Sequence, residues 1–309
     1  MEFGISFIAF LGGCVVKYIE NKLFCSVENC EMTKKKSTEK DSRVGIVMPA
    51  YNSGEIIEKA LRSVMGQSYS DFEVFVVDDH STDKTVEIVK KLAKEDKRIH
   101  LIQLKDDRGA AAARNLAIKR IEEDPSLKYI AFLDSDDCWR KDKLKTQIEF
   151  MKKNKVAFSY GDYDICDIVT GRIYRRRICP AKMSYFRMLI GCSVGCLTVV
   201  YDKDAVGHVE IPNLPKRNDY ALWCVILKKV RHGMKYPGVL AIYDRSPGSI
   251  SSGGKAHLVK YHYRMHRDAN RFNPLVASFF TATNIVNYIN NIVVCEKKQS
   301  LKGENDYGQ

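Results

Sequence analysis

The chain has 309 residues, 45% of them hydrophobic, which allows one large domain or two modest ones around a sizeable core and excludes a disordered, collagenous or membrane-bundle protein. Lysine and arginine outnumber aspartate and glutamate by 50 to 38, a net charge of +12, which suits anionic partners such as nucleic acid, acidic lipid head groups or phosphorylated substrates, or else a merely soluble basic surface. The 10 cysteines are scattered without a Cys-x-x-Cys pair, so they read as core thiols of a reducing compartment, and a cytoplasmic protein is expected.

The first apolar run, Phe3 to Val16, carries Gly4, Gly12 and Gly13 and is shorter than the ~20 residues of a membrane span. Glu2 is the only early charge, so no basic region precedes it as in a secretory leader. Residues 1–31 read as an upstream extension and Thr33 to Arg43 as a polar, lysine-rich linker, with the core starting near Val44. From there strands and helices alternate: a strand at 44–48, then a helix from about Gly54 with Ile56, Ile57, Ala60, Leu61, Val64 and Met65 at helical spacing. A strand at 74–77, a helix with Val86, Val89 and Leu92, a strand at 99–104 and a helix from Gly109 through Ile121 follow. Tyr129 to Leu133 is then an apolar run of the kind buried on both faces of a parallel sheet. Short strands separated by helices imply right-handed crossovers and a mostly parallel α/β sheet.

Beyond about Lys155 the texture changes to shorter strands and clustered basic residues. Strands are expected at 156–160, 195–201 and 238–243, a helix from Asn218 to Val230, and helical spacing from His257 to Val294. Cys192 and Cys196 read as lying on a strand, where they would share a face about 13 Å apart, too far for a disulfide.

Ligands in open α/β sheets sit at the carboxyl ends of the strands. Here those ends read Pro49-Ala50-Tyr51-Asn52, Asp78-Asp79-His80-Ser81-Thr82-Asp83 and Asp134-Ser135-Asp136-Asp137. Three carboxylates in four residues raise the local free energy unless something positive offsets them. No Gly-x-Gly-x-x-Gly and no Walker lysine follows the first strand, so phosphate must be held by other means, and a metal on carboxylates is the obvious one.

Taken together, PAYN, VVDDHSTD, GAAAARN and FLDSDD, in this order and spacing, resemble the nucleotide-diphospho-sugar transferases of glycosyltransferase family 2, over roughly Val44 to Ser251. The second half also resembles bacterial polysaccharide enzymes of the teichuronic acid type, through GCLTVVYD, LPKRNDYALW and GSISS. The resemblance implies the GT-A fold: a mostly parallel nucleotide-binding sheet with helices on both faces, an acceptor-binding half and C-terminal helices. It divides the chain into an extension and linker (1–43), a transferase domain (44–251, nucleotide-sugar half 44–150 and acceptor half 151–251) and a helical tail (252–309).

Residue by residue, it implies that Pro49 and Tyr51 border the nucleobase and that Asp79 hydrogen-bonds it; Asp78 reads rather as a turn residue or helix cap. Asp134 and Asp136 match the Asp-x-Asp motif for Mg2+ or Mn2+. Asp136 is expected as the direct ligand, Asp134 near sugar or ribose hydroxyls, and Asp137 in support. Arg114 would contact donor phosphate or base, or else be a surface ion-pair member. Asp219 matches the base that deprotonates the acceptor, with Asn218 where the family carries an acid, and it also suits a helix N-cap. Trp223 reads as an acceptor platform or as core. Where the family often has Tyr-Arg-x-His-x-Gly-Ser, this chain has Tyr243-Asp244-Arg245-Ser246-Pro247-Gly248-Ser249, so Ser246 replaces the histidine.

The expected activity is therefore inverting, metal-dependent transfer of a sugar from a nucleotide-diphosphate donor, a UDP-sugar, to a surface polysaccharide or polyprenyl-linked glycan. Arg172, Arg175, Arg176, Arg177, Lys182 and Arg187, with Lys255, Lys260, Arg264, Arg267 and Arg271 in the tail, suit peripheral contact with an anionic membrane or are simply solvated. The rivals are a sugar nucleotidyltransferase, which would want a basic glycine-rich loop after the first strand, and a non-catalytic donor-binding or scaffold member of the same fold. Nucleic-acid binding lacks any recognition motif and is not expected.

Overall fold

Strand β1 (Arg43–Ala50) shows why the first half folds as it does. Val44, Ile46 and Met48 enter one apolar core and Val47 the other, all fully buried, so the strand is apolar without alternation. The computed structural model describes residues 42–245 and 258–295. Residues 1–41, which hold nearly all of the expected extension and linker, lie outside the described residues, as do Ser246, the Gly248 to Ser252 segment and Lys255.

β1 pairs in parallel with β2 (Phe72–Asp78) on one side and β4 (Leu127–Phe132) on the other, and β3 (Ile99–Gln103) extends the sheet beyond β2. The crossovers are α1 (Ile57–Met65), α2 (Thr85–Glu95) and α3 (Ala110–Glu123). α1 and α2 cover the face carrying Ile46 and Val74, whereas α3 covers the face carrying Val47 and Phe132, so helices lie on both sides. α3 approaches so closely that a Cβ on Gly45 would sit 2.6 Å from the Ile121 side chain, and only glycine fits there.

After β4 the sheet becomes mixed. In spatial order it runs β3-β2-β1-β4-β9-β6-β10-β5. Here β5 is Cys138–Trp139, β6 Phe158–Asp167, β9 Val200–Asp202 and β10 Gly233–Arg245; β7 (Ile173–Arg177) and β8 (Lys182–Met183) pair at the side with β6 and β10. β9 is antiparallel to both β4 and β6, and β10 is parallel to β6. Helices α4 (Lys143–Asn154), α5 (Tyr185–Ile190), α6 (Lys203–Val206) and α7 (Asn218–Lys229) complete this half. The GT-A class read from the motifs is the architecture found.

Two expectations are corrected in this half. The strand expected at 195–201 is a 3-10 turn, Cys196–Thr198, followed by the three residues of β9. Thr198 N–H and Val199 N–H donate to the carbonyls of Gly195 and Cys196, closing the turn, and a Cβ on Gly195 would collide with the Tyr163 ring at 2.6 Å. Cys192 and Cys196 therefore share no strand face. The strand expected at 156–160 in fact runs on to Asp167, because Asp162 and Asp164 are buried in it. Lys235 holds Asp162 at 3.0 Å, and Arg140 and Arg176 each hold Asp164 at 2.7 Å. No disulfide joins Cys138, Cys166, Cys179, Cys192, Cys196 or Cys224.

The described end of the chain is α8 (Leu258–Arg264), a π-helical turn (Met265–Ala269) and α9 (Pro274–Cys295). His266 is fully buried among Phe272 and Phe280, with ring centroids 6.1 and 5.6 Å away, and burial pushes its pKa down from 6.5 to about 4. A base whose folded pKa is depressed contributes stability that is present above the unfolded pKa and is lost as pH falls toward the folded one. Between pH 7 and pH 5 this one group should cost about 2 kcal/mol. Urea midpoints at the two pH values, compared with His266→Phe, check it: the variant should show the smaller pH dependence, and an unchanged one would remove His266 from the account.

Candidate active site

The carboxyl ends of β1, β2 and β4 meet in one cluster, stitched by side chains. Asn52 and His80 both adopt left-handed backbone (φ 45° and 64°). Asn52 Oδ1 accepts the Thr82 N–H at 2.9 Å, and Asp83 Oδ2 accepts the Gly54 N–H at 2.8 Å, so the loops after β1 and β2 are tied to one another. The buried Ser53 and Ser135 hydroxyls lie 2.8 Å apart and join the first of these loops to the Asp-x-Asp loop. Tyr51 stands largely exposed at the end of β1 beside half-buried Pro49, an aromatic face open to solvent.

Asp79 is buried, and its two oxygens accept the N–H groups of Arg108 (2.9 Å) and Gly109 (2.8 Å). It thereby fixes the turn at Gly109 (φ 82°) that launches α3, and each oxygen keeps a lone pair for a further donor. Asp78 Oδ2 accepts the Ser81 N–H at 3.2 Å, the turn role that its position suggested.

Arg114, on the second turn of α3, is the center of the site. It is buried rather than a surface ion-pair member: one amino group donates to Asp134 Oδ1 and the other to Asn218 Oδ1 at 3.0 Å. Burial works against its charge, but the carboxylate of Asp134 outweighs that and raises its pKa above the usual arginine value. Part of the positive charge that the three carboxylates demand is therefore supplied by the protein itself. Lys59 of α1 adds a second cation by pairing with Asp244 of β10.

That compensation is incomplete. Burial, then the neighbouring Asp134, pushes Asp136 up to about 6. Burial, then Asp136 and Asp134, holds Asp137 well above the usual carboxylate range, although the Asp244 N–H donates to it. One oxygen each of Asp78, Asp137 and Asp244 is buried without a hydrogen-bond partner among the described residues. The motif carboxylates Asp134 and Asp136, in a cluster whose orphaned Asp137 and Asp244 oxygens show a shortage of donors, fit a hard cation such as Mg2+ or Mn2+. No group of three or more His, Cys, Asp or Glu side chains able to hold a metal exists among the described residues, so an ion here would complete its shell with water and donor oxygens.

Asp219 lies in the first turn of α7 beside Asn218, half-buried, and its charge acts on Arg114, Cys192 and Cys196. It is not the helix cap expected: Arg217 takes that position with left-handed φ 66°, and Ala221 N–H donates to the Arg217 carbonyl at 2.9 Å. A carboxylate in the first turn is still favoured by the helix's positive end. Trp223 does not reach the site as an acceptor platform. Fully buried, it packs edge-on to Phe132 (centroids 5.2 Å) and against Phe158 (5.7 Å), because α7 turns this face to the sheet.

Sequence reasoning missed Cys196. Burial first, then Asp134, raises its thiol well above the usual range, and Arg114, Asp219 and Asp137 all act on it as well, so it lies within electrostatic reach of the carboxylate cluster and of α7. The Lys59–Asp244 pair was missed too, because it joins residues 185 apart and no local pattern carries it.

Residues 45–200 match the family described as Glycosyl transferase family 2. The chain is 37% identical over 238 residues to the putative teichuronic acid biosynthesis glycosyltransferase TuaG of Bacillus subtilis, covering 76% of this chain and 92% of that one. It is 40% identical over 213 residues to WfgD of Escherichia coli, a UDP-Glc:alpha-D-GlcNAc-diphosphoundecaprenol beta-1,3-glucosyltransferase, covering 69% and 81%. Among solved structures, S. aureus TarS 1-349 in complex with UDP-GlcNAc superposes with a TM-score of 0.61 at 20% identity, over 83% of this chain and 74% of that one. The mannosyltransferase PcManGT of Pyrobaculum calidifontis, in complex with GDP-Man and Mn2+, gives 0.56 at 16% identity, over 93% and 85%. The chain belongs to glycosyltransferase family 2 and is a glycosyltransferase with the GT-A fold.

Proposed function

We propose that the protein transfers a sugar from a UDP-sugar, with inversion, to a surface polysaccharide or a polyprenyl-diphosphate-linked glycan at the inner face of the cell membrane. The observation that carries this reading is the pairing of an under-compensated carboxylate cluster at the ends of β2 and β4 with Asp219, which acts on the same Arg114 that bonds Asp134. The relatives support the donor and acceptor classes, since WfgD is named for a UDP-sugar and a diphosphoundecaprenol acceptor. In this reading residues 44–251 carry the reaction, flanked by the extension and linker and by the helical tail.

Tyr51 and Pro49 border the base, and Asp79 accepts from it with its remaining lone pairs. Arg114 orients Asp134, which faces sugar or ribose hydroxyls. Asp136, with Asp134, would hold the divalent cation, which when bound takes up charge on the departing diphosphate. Asp219 removes the proton of the acceptor hydroxyl as that oxygen attacks the anomeric carbon from the side opposite the leaving group. One displacement inverts the centre.

Release of nucleoside diphosphate from a panel of nucleotide sugars, with Mg2+, Mn2+ or a chelator, tests the reading. Turnover of a UDP-sugar should require the cation and disappear in Asp136→Ala. Saturable nucleotide binding without turnover, even with lipid-linked acceptor present, would move the protein to the donor-binding role.

A further inference from the structure

Helix α9 has no charged residue over its whole length, Pro274 to Cys295. Its inner face is accounted for. Ala277, Phe280, Thr281 and Asn284 are buried, Phe280 lies edge-on to Phe186 of α5 at 5.9 Å, and Asn284 Nδ2 donates to the Leu189 carbonyl at 2.8 Å. Its outer face is not. Leu275, Phe279 and Val286 are 83%, 54% and 55% exposed, and with exposed Ala282 they recur at intervals of four, three and four residues, one continuous stripe along the helix. Large apolar side chains aligned on a surface helix, with no charge among them, mark an interaction surface.

The surroundings point to what covers it. The segment leading into α9, Leu258 to Arg271, holds Lys260, Arg264, Arg267 and Arg271 against a single carboxylate, Asp268, which Arg264 already engages at 3.4 Å. Lys260 and Arg271 are exposed, and Arg271 stands three residues before the helix. An uncharged apolar stripe beside a net-positive segment is complementary to an anionic lipid surface, where the stripe enters the head-group region and the cations meet lipid phosphates. Among the described residues no helix is long and apolar enough to cross a membrane, which fits a helix lying in the plane of the interface.

We infer that the outward face of α9, built on Leu275, Phe279 and Val286 and flanked by Arg271 and Lys260, is the surface by which this protein docks on an anionic bilayer. The inference gives a location to the membrane contact in the proposed function and rests on that reading for its purpose. The inner face supplies the connection to the active site. Tyr220, the residue after Asp219, has its hydroxyl between the Met188 carbonyl and Asn284 Oδ1, the latter at 3.0 Å. A helix held at the lipid surface is thus bonded directly to the turn that carries the proposed base, so a lipid-linked acceptor is met at a fixed height.

Co-sedimentation of the full-length protein with phosphatidylglycerol-containing vesicles, and with phosphatidylcholine alone, reads this out. Wild type should bind the anionic vesicles. Leu275→Glu combined with Phe279→Glu should bind them about tenfold more weakly or worse, while thermal melting and UDP release from the donor into water stay unchanged. If that variant is poorly folded, Phe279→Trp replaces it. Its emission should move to the blue and be quenched by brominated lipid, against a background from Trp139 and Trp223 that is buried and insensitive. Equal binding by wild type and the double variant would overturn the surface. So would sedimentation of wild type as a dimer that the double variant breaks, with no vesicle binding by either, since a second copy would then cover the stripe. Turnover without any vesicle binding defeats this inference alone; vesicle binding lost on the double substitution, with no donor turnover in any form, leaves it standing and defeats the transferase chemistry.

Discussion

Asp219→Asn is expected to lower turnover by about 10²- to 10⁴-fold while UDP binding stays within about twofold. The substitution keeps the size and position of the side chain in the first turn of α7 and removes only its ability to take a proton. A sugar hydroxyl is a weak nucleophile until that proton leaves, so the loss falls on the chemical step. Donor recognition, assigned to the opposite side of Arg114, should be untouched. Steady-state release of nucleoside diphosphate in the presence of acceptor, set beside calorimetric UDP affinity, separates the two. Unimpaired turnover would remove Asp219 from the reaction, whereas loss of both quantities together would make it part of the donor site.

Arg114→Met should destabilise the protein by about 3 kcal/mol and abolish most activity. The guanidinium lies buried between Asp134 and Asn218, so its removal leaves three carboxylates in four residues with one fewer cation and leaves the Asn218 oxygen without its donor. Arg114→Lys should recover only part of either property, because an ammonium on a flexible stem does not reproduce a fork that reaches two partners at once. Urea midpoints measured with and without Mn2+ give the decisive comparison. Added cation should restore more stability to the methionine variant than to wild type, and an equal response in both would mean that arginine and metal serve separate carboxylates.

The nucleotide half was legible because β1, β2 and β4 are largely buried apolar runs and each crossover helix has an inward stripe; β1 to β4 fall within a few residues of where hydrophobic runs put them. The acceptor half was not, for identifiable reasons. Asp162 and Asp164 read as the end of a strand, yet they continue β6 with their charges neutralised by Lys235, Arg140 and Arg176 from elsewhere in the chain. Lys143, to which no motif points, is fully buried, its amine 3.9 Å from the Trp139 ring centroid. Trp223 offered two readings, and only the packing of α7 on Phe132 and Phe158 decides for the core. In the site, the motif carboxylates and Asp219 could be named from their positions along the chain. The Arg114 link between Asp134 and Asn218 could not, because it joins residues 104 apart and no local pattern carries it.

The insertion of β10 between β6 and β5 has a consequence for biosynthesis. Residues 43–132 supply four neighbouring parallel strands as soon as they leave the ribosome, and domains generally begin to fold from their N-terminal parts during synthesis. The Asp-x-Asp loop is tied early by Ser53 and Arg114, but the strand that follows it lacks its partner until late. β5 immediately after it is held by Ala241 and Ile242, and the cation of α1 finds its carboxylate only at Asp244. Until residue 244 has been made, a nascent chain carries β5 without its sheet partner and Lys59 without its carboxylate, beside a sheet with open edges, so competence to engage a donor arrives late.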